Sequence, residues 1–376
     1  MKKIIGLDAL RALSVLLVIL SHVGVTNAVS TPVLKSFFTV FNAFTGVTIF
    51  FVISGFLITT LLIAEKQKTG IVNIKNFFVR RALRTLPLYY VAILIAALFG
   101  LFGVQQISSA ALLHGITYTY NFVRVQDNVG FLSHLWSLAV EEQFYLLWPF
   151  IFASLIVKPL RLIGICILSI VACYMAYLAI DLDSPIPNTY YVTRWFLPAA
   201  YPIFVGCLFA LSCHHWSRFR EFLATKAALA ASVIMLFWPL IFPDFTAAVA
   251  EWFSPLQFLE RFVVVTGIAG TISWLVLNQE SWVVKRLDWG PIGYLGKISY
   301  GLYVWQGIFT GNGNIDSHYW PPPVIWGVVL TFGVSIVSYH VFEMPFLKLK
   351  GRFSWKKPPS GSPNSTTAAD RATALP

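Results

Sequence analysis

Asp8, Arg11 and His22 share one apolar stretch and Glu141 and Glu142 another, so five ionisable side chains stand where lipid-facing residues are expected. Charge inside an apolar span is costly, which makes such positions functional candidates. The chemistry they offer is proton transfer. A carboxylate bonded to one imidazole nitrogen fixes the tautomer and leaves the other nitrogen as a base. His22 is the candidate base, with Glu141 or Glu142 as its orienting partner. Adjacent helical residues diverge by about 100°, so only one of the two carboxylates is expected to face it. Arg11 and His22 are eleven residues apart, which on a helix is three turns plus about 20° and roughly 16 Å, the same face but out of contact. Asp8, three residues before Arg11, is placed to pair with it. A third group, Arg80, Arg81 and Arg84, offers planar forks suited to phosphates. With Arg11 it makes a candidate anion site, although basic residues at a membrane surface also serve as anchors.

These side chains need apolar helices to hold them. Of 376 residues, 57% are hydrophobic and 11% charged, against about 25% charged in soluble domains. That balance excludes a soluble enzyme and a disordered chain alike. About ten stretches have the length of a bilayer span. They run over residues 4–25, 37–64, 86–104, 136–157, 160–180, 196–213, 227–242, 258–278, 298–313 and 323–342. Residues 107–123, with His114 and a run of Thr, Tyr and Asn, read as a re-entrant or interfacial segment.

The net charge of +11 raises the question of nucleic acid, and its placement answers it. With the N-terminus inside and about ten spans, all of the 27 Lys and Arg except Lys35, Arg124, Arg194 and Arg261 fall on the cytoplasmic side. The basic charge is topological, and no nucleic-acid partner is expected. The fold class is therefore all-α: a polytopic membrane helical bundle with both termini cytoplasmic. Residues 1–350 form the transmembrane domain and 351–376, rich in Lys, Pro, Ser and Thr, a disordered cytoplasmic tail. In this arrangement Glu141 and Glu142 lie one to two turns below the outer surface, near the depth of His22. Cys213 with His214 and His215 is the one metal-like cluster and reads as a helix end, so no metal is expected. Tyr190, Tyr191, Trp195 and Trp252 suit sugar rings or membrane anchoring. A transporter in which His22, Glu141 or Glu142, and Arg194 form a relay is the alternative reading.

Several motifs tie these residues together. Asp8-x-x-Arg11 is followed after ten residues by His22, and Phe50-Phe51-Val52-Ile53-Ser54-Gly55-Phe56-Leu57 lies in the second span. Arg81-x-x-Arg84 precedes Pro87. Trp136-Ser137-Leu138 leads to Glu141-Glu142-Gln143-Phe144-Tyr145, while Ile298-Ser299-Tyr300-Gly301-Leu302-Tyr303 and Phe342-Glu343-Met344-Pro345 come near the end. In this order they resemble the acyltransferase 3 family, membrane-bound O-acyltransferases that modify bacterial surface glycans and related acceptors. Gln306 departs from the pattern, which often has His there, so the base narrows to His22. The resemblance implies transfer of an acyl group, commonly acetyl, from acetyl-CoA or another acyl-CoA to a hydroxyl of a carbohydrate or lipid-linked glycan. It implies a multi-pass protein of the bacterial inner membrane with no permanently bound cofactor. His22 with Glu141 or Glu142 would be catalytic, and Arg11, Arg80, Arg81 and Arg84 would bind the donor. Asp8, Trp136, Ser137, Tyr145, Ser299 and Tyr300 would support them, with Ser137, Tyr145, Tyr300 or Trp305 available to an oxyanion.

Overall fold

The computed structural model describes residues 4–24, 31–181, 190–243, 245, 254–287, 289–310 and 320–353. Apolar composition makes the described chain all-helical, because in a low-dielectric setting each backbone amide must find its partner within its own segment. The helices in chain order are α1 (Leu7–His22), α2 (Pro32–Val40), α3 (Ala43–Thr69), α4 (Ile74–Leu101), α5 (Ser109–Ile116), α6 (Leu135–Leu155), α7 (Pro159–Asp181) and α8 (Phe196–His215). They continue with α9 (Ser217–Leu223), α10 (Lys226–Leu236), α11 (Trp238–Ile241), α12 (Ser254–Leu277), α13 (Trp282–Arg286), α14 (Gly290–Thr310), α15 (Val324–Ser338) and α16 (Met344–Lys350).

Among the described residues, six helical stretches are long and apolar enough to cross a membrane: 43–69, 74–101, 159–179, 192–215, 257–277 and 324–353. Three other helices expected to span, α1, α6 and α14, carry the polar site residues. The stretch expected at 227–242 is interrupted between α10 and α11 at Phe237. The second stretch, expected from Phe37, begins instead at Ala43, because the Asn42 side chain accepts from the amides of Phe44 and Thr45 and starts a new helix. The third starts twelve residues earlier than expected, at Ile74, so the arginine group rides on the first turns of a long helix. Residues 107–123 form only the eight-residue α5 followed by 3-10 turns, too short to span.

The core is built where backbones approach closely. Gly55 on α3 and Gly206 on α8 face one another's helices: a Cβ on Gly55 would overlap the Ile203 carbonyl, and one on Gly206 the Val52 carbonyl. Small residues at a crossing replace the hydrophobic drive that lipid does not supply. Gly296 does the same between α14 and α1, where a Cβ would overlap the Asp8 carbonyl. Helices α1, α3, α8 and α14 thus pack as a central group, with α6 against α3 and α8 through buried Phe144, Trp148 and Phe204. A π turn over Tyr339–Glu343 links α15 to α16. It is followed by a turn at Gly351–Phe353 whose Phe353 carbonyl accepts from Arg80 Nη1 at 2.9 Å. The rest of the segment 351–376 lies outside the described residues, as do Trp252 and residues 1–3.

Candidate functional site

A cavity of about 220 Å³ opens between α1, α3, α4, α6 and α14. Along α3 it runs from Glu65 to Val47, roughly 27 Å at about 1.5 Å per residue. Its mouth is cationic: Arg11, Arg80, Arg81, Arg84 and Lys350 line it. Its middle is walled by Leu57, Leu61, Leu62 and Leu138, and Ser137 and Tyr303 line it beside Val47 and Phe50.

Charge pairing separates these cations into two sets. Arg11 Nη1 is 3.0 Å from Asp8 Oδ1, and Arg80 Nη2 is 3.1 Å from Glu65 Oε2. Glu65 is only 2% exposed and also accepts from the Asn73 amide at 3.3 Å, so Arg80 is committed to it. Arg81 lies over the Tyr145 ring, 3.6 Å from the centroid, and faces both Glu141 and Glu142. Arg84 and Lys350 form no ion pair among the described residues, and both line the cavity. Two unneutralised cations in a largely apolar cleft are a standing attraction for an anion.

The structure gives the two glutamates a different neighbour from the one expected. Glu141 accepts from Ser54 Oγ at 2.5 Å, and Glu142 from Thr85 Oγ1 at 3.1 Å. Tyr145 donates to Ser54 at 2.7 Å and Tyr300 to the Thr85 carbonyl at 2.7 Å. This network surrounds Arg81, whose Nε is buried without a hydrogen-bond partner among the described residues, and no hydrogen bond among them joins the network to His22. Depth along α6 was matched to His22, but the carboxylates face α3 and α4 instead. Ser299 lines the same cavity and donates to the Gly296 carbonyl.

His22 stands outside the cavity. It lies against Gln306 of α14, with Arg194 and His134 as its charged or titratable neighbours. His22 Nδ1 and Gln306 Nε2 are both buried without a hydrogen-bond partner. Arg194 donates to Ser133 Oγ at 3.1 Å, covers the Tyr191 ring at 4.0 Å and lies 5.8 Å from that of Trp136. His134 is packed over Gly307, where a Cβ would overlap its ring, and 5.5 Å from Tyr303. Tyr303 forms the partition between cavity and histidines: its hydroxyl is 2.6 Å from Ser137 Oγ and donates to the His134 carbonyl at 3.1 Å.

The expected residues thus divide into a cavity group and a histidine group. Asp8, Arg11, Arg80, Arg81, Arg84, Glu141, Glu142, Tyr145, Ser299 and Tyr300 belong to the first, Ser137 to its inner end. His22 and, through Arg194, Trp136 belong to the second. Lys350, Glu65, Ser54, Thr85, Tyr303 and His134 were not singled out from the sequence. Ser54 and Tyr303 lie within the motifs without a role of their own, and His134 carries a signal only as a histidine at the start of an apolar span.

A family model described as an acyltransferase domain matches residues 4–340. A peptidoglycan O-acetyltransferase of Listeria monocytogenes is 29% identical over 96% of this chain and 60% of its own length. A putative O-acetyltransferase of Staphylococcus aureus is 27% identical over 93% and 58%. A putative peptidoglycan O-acetyltransferase of Bacillus subtilis is 27% identical over 90% and 54%. The chain spans about three fifths of the length of the curated relatives it matches. No solved structure matches it.

Proposed function

The chain belongs to the acyltransferase 3 family, and from that premise we propose that it transfers an acetyl group from acetyl-CoA to a hydroxyl of a cell-surface or lipid-linked carbohydrate. The observation that carries this reading is the cavity with Arg84 and Lys350 unneutralised at its mouth and an apolar passage behind them. A nucleotide diphosphate fits the mouth, and an extended thioester arm fits the passage. Acetyl as the group, and a glycan as the acceptor, are supported by what the relatives are called.

In this reading the bundle has about ten spans and lies in the bacterial inner membrane with its arginine-bearing end cytoplasmic, as the Lys and Arg distribution favours. Arg84 and Lys350 take the donor phosphates, and Arg11 and Arg80 shape the mouth. Arg81, held by Glu141, Glu142 and Tyr145, fixes the passage. The acceptor hydroxyl oxygen attacks the thioester carbonyl while its proton moves to His22. The Ser137 and Tyr303 hydroxyls stand at the inner end, and one that turns from the His134 carbonyl donates to the tetrahedral oxyanion. The C–S bond then breaks, and the thiolate leaves and recovers the proton. Gln306, rather than a glutamate, is the positioning residue for the imidazole.

The test is mass spectrometry of surface glycans from cells with the gene, without it, and with His22→Ala. Glycans lacking one acetyl mass in the deletion and in His22→Ala are expected. An unchanged glycan profile in the deletion strain overturns the acceptor class, and full acetylation by well-inserted His22→Ala overturns the base.

A further inference from the structure

A second cavity, of about 730 Å³, lies at the end of the bundle opposite the arginines. The helix α4 fixes that placement. Arg80 is in its second turn, and α5 with its following turns comes after its far end at Leu101, roughly 32 Å farther along the helix at about 1.5 Å per residue. The walls come from two connections: the α5-to-α6 segment, and the residues leading into α8. Arg124 and Tyr190 tie the two together through an isolated antiparallel bridge and a 3.3 Å hydrogen bond from Arg124 Nε to the Tyr190 hydroxyl.

The chemistry of these walls differs from that of the donor cavity. Phe122, Trp195 and Tyr190 contribute aromatic surface, with Phe122 and Trp195 centroids 5.8 Å apart and Tyr190 and Trp195 6.2 Å apart. Arg124, Gln126 and Asp127 add a cation, an amide and a carboxylate on one short turn, and His114 of α5 also lines the cavity. One Arg against one Asp leaves the cavity without net charge, in contrast to the cationic mouth at the other end. A phosphate-rich ligand is disfavoured there, and so is a lipid tail, which would strand the polar groups without partners. A ligand with apolar ring faces edged by hydroxyls and amides satisfies both surfaces, and the volume is within the range of about 300–1,000 Å³ found for small-molecule sites.

None of the histidine group lines the cavity, but two of its wall residues are chain neighbours of side chains that reach that group or α6. Trp195 in its wall is followed backwards by Arg194, the cation that faces His22 and holds Ser133. Phe122 follows Asn121, whose side chain exchanges hydrogen bonds with Gln143 of α6 at 2.9 and 3.3 Å.

We propose that this neutral aromatic cavity is the acceptor subsite, which holds an uncharged saccharide ring of the glycan and presents a neighbouring hydroxyl to His22. The inference rests on the acetyl-transfer reading. It adds that donor and acceptor enter from opposite ends and meet at the Tyr303 partition.

The test uses the full chain in detergent with an N-acetylglucosamine tetramer as probe, affinity being read by calorimetry. Wild type is expected to bind in the millimolar range or tighter, Trp195→Ala about tenfold more weakly, and Trp195→Phe close to wild type, as expected for an aromatic stacking surface. Gln126→Ala, at an exposed position, is expected to weaken binding with no change in thermal stability. Stabilisation by acetyl-CoA must persist in each variant, which shows that the fold and donor site are intact. No saturable oligosaccharide binding by wild type, or equal affinity in Trp195→Ala and Gln126→Ala, overturns the subsite. Loss of acetyl-CoA stabilisation in wild type overturns the underlying donor reading instead.

Discussion

Replacing each cation at the mouth of the donor cavity by glutamine should separate affinity from stability. Arg84 has no ion pair among the described residues, so its guanidinium is available to a donor phosphate. At about 4 Å and an effective dielectric of about 20, the Coulomb term is about 4 kcal/mol before desolvation. A charge-assisted hydrogen bond retains a net of about 1.5–3 kcal/mol. Arg84→Gln should therefore raise the Kd for CoA about 10- to 150-fold. Lys350→Gln, at the edge of the mouth, should cost about fivefold, an effect that shrinks with added salt. Arg80→Gln should behave differently, because Arg80 already bonds Glu65 and the Phe353 carbonyl. Its loss leaves Glu65 buried and unpaired, a cost of about 3–5 kcal/mol in stability, while CoA affinity changes by about twofold or less. Calorimetric titration of CoA and thermal unfolding of the same preparations measure both quantities. The pairing argument is refuted if Arg80→Gln weakens CoA as much as Arg84→Gln does and leaves the Tm unchanged.

Other expectations concern the interior. Gln306→Ala should lower kcat by about tenfold to a hundredfold, as loss of a positioning residue does, with acetyl-CoA binding unchanged. An unaltered kcat would remove Gln306 from the mechanism. Glu142→Gln should lower stability by leaving the buried charge of Arg81 with Glu141 as its one remaining acidic neighbour, and Arg81→Met combined with it should recover part of that loss. A double mutant no more stable than the single one contradicts this account of the network. Gly55→Val should abolish insertion or folding, because the added atoms meet the backbone carbonyl of Ile203 rather than a side chain that can move aside. Normal yield and Tm for this variant would be inconsistent with the α3–α8 crossing.

The fold class was legible because apolar composition leaves few alternatives to helices. Polar residues blurred the count of spans. Glu141 and Glu142 in α6, and Asp8, Arg11 and His22 in α1, interrupt hydropathy where the site is built. Within the site, spacing along one helix was informative: Asp8 pairs with Arg11 as three-residue spacing requires. Contacts between helices were not. Matched depth suggested that a glutamate orients His22, but depth says nothing about azimuth, and the Glu141 side of α6 faces Ser54 and Thr85. Gln306 stood out only as a departure from a pattern, and became intelligible once α14 was seen beside α1. Lys350 was hidden among tail charges because the π turn that carries it back to the arginines has no distinct composition.

The partition made by Tyr303 and Ser137 has a consequence for the membrane as an insulator. A protein hollowed from both ends is a short circuit unless something solid separates the hollows. Here the separator is a phenol ring with Phe50 against it and a hydroxyl locked to its neighbours. In the proposed membrane setting, such a septum closes the inner end of the first cavity to water wires, and with them to protons.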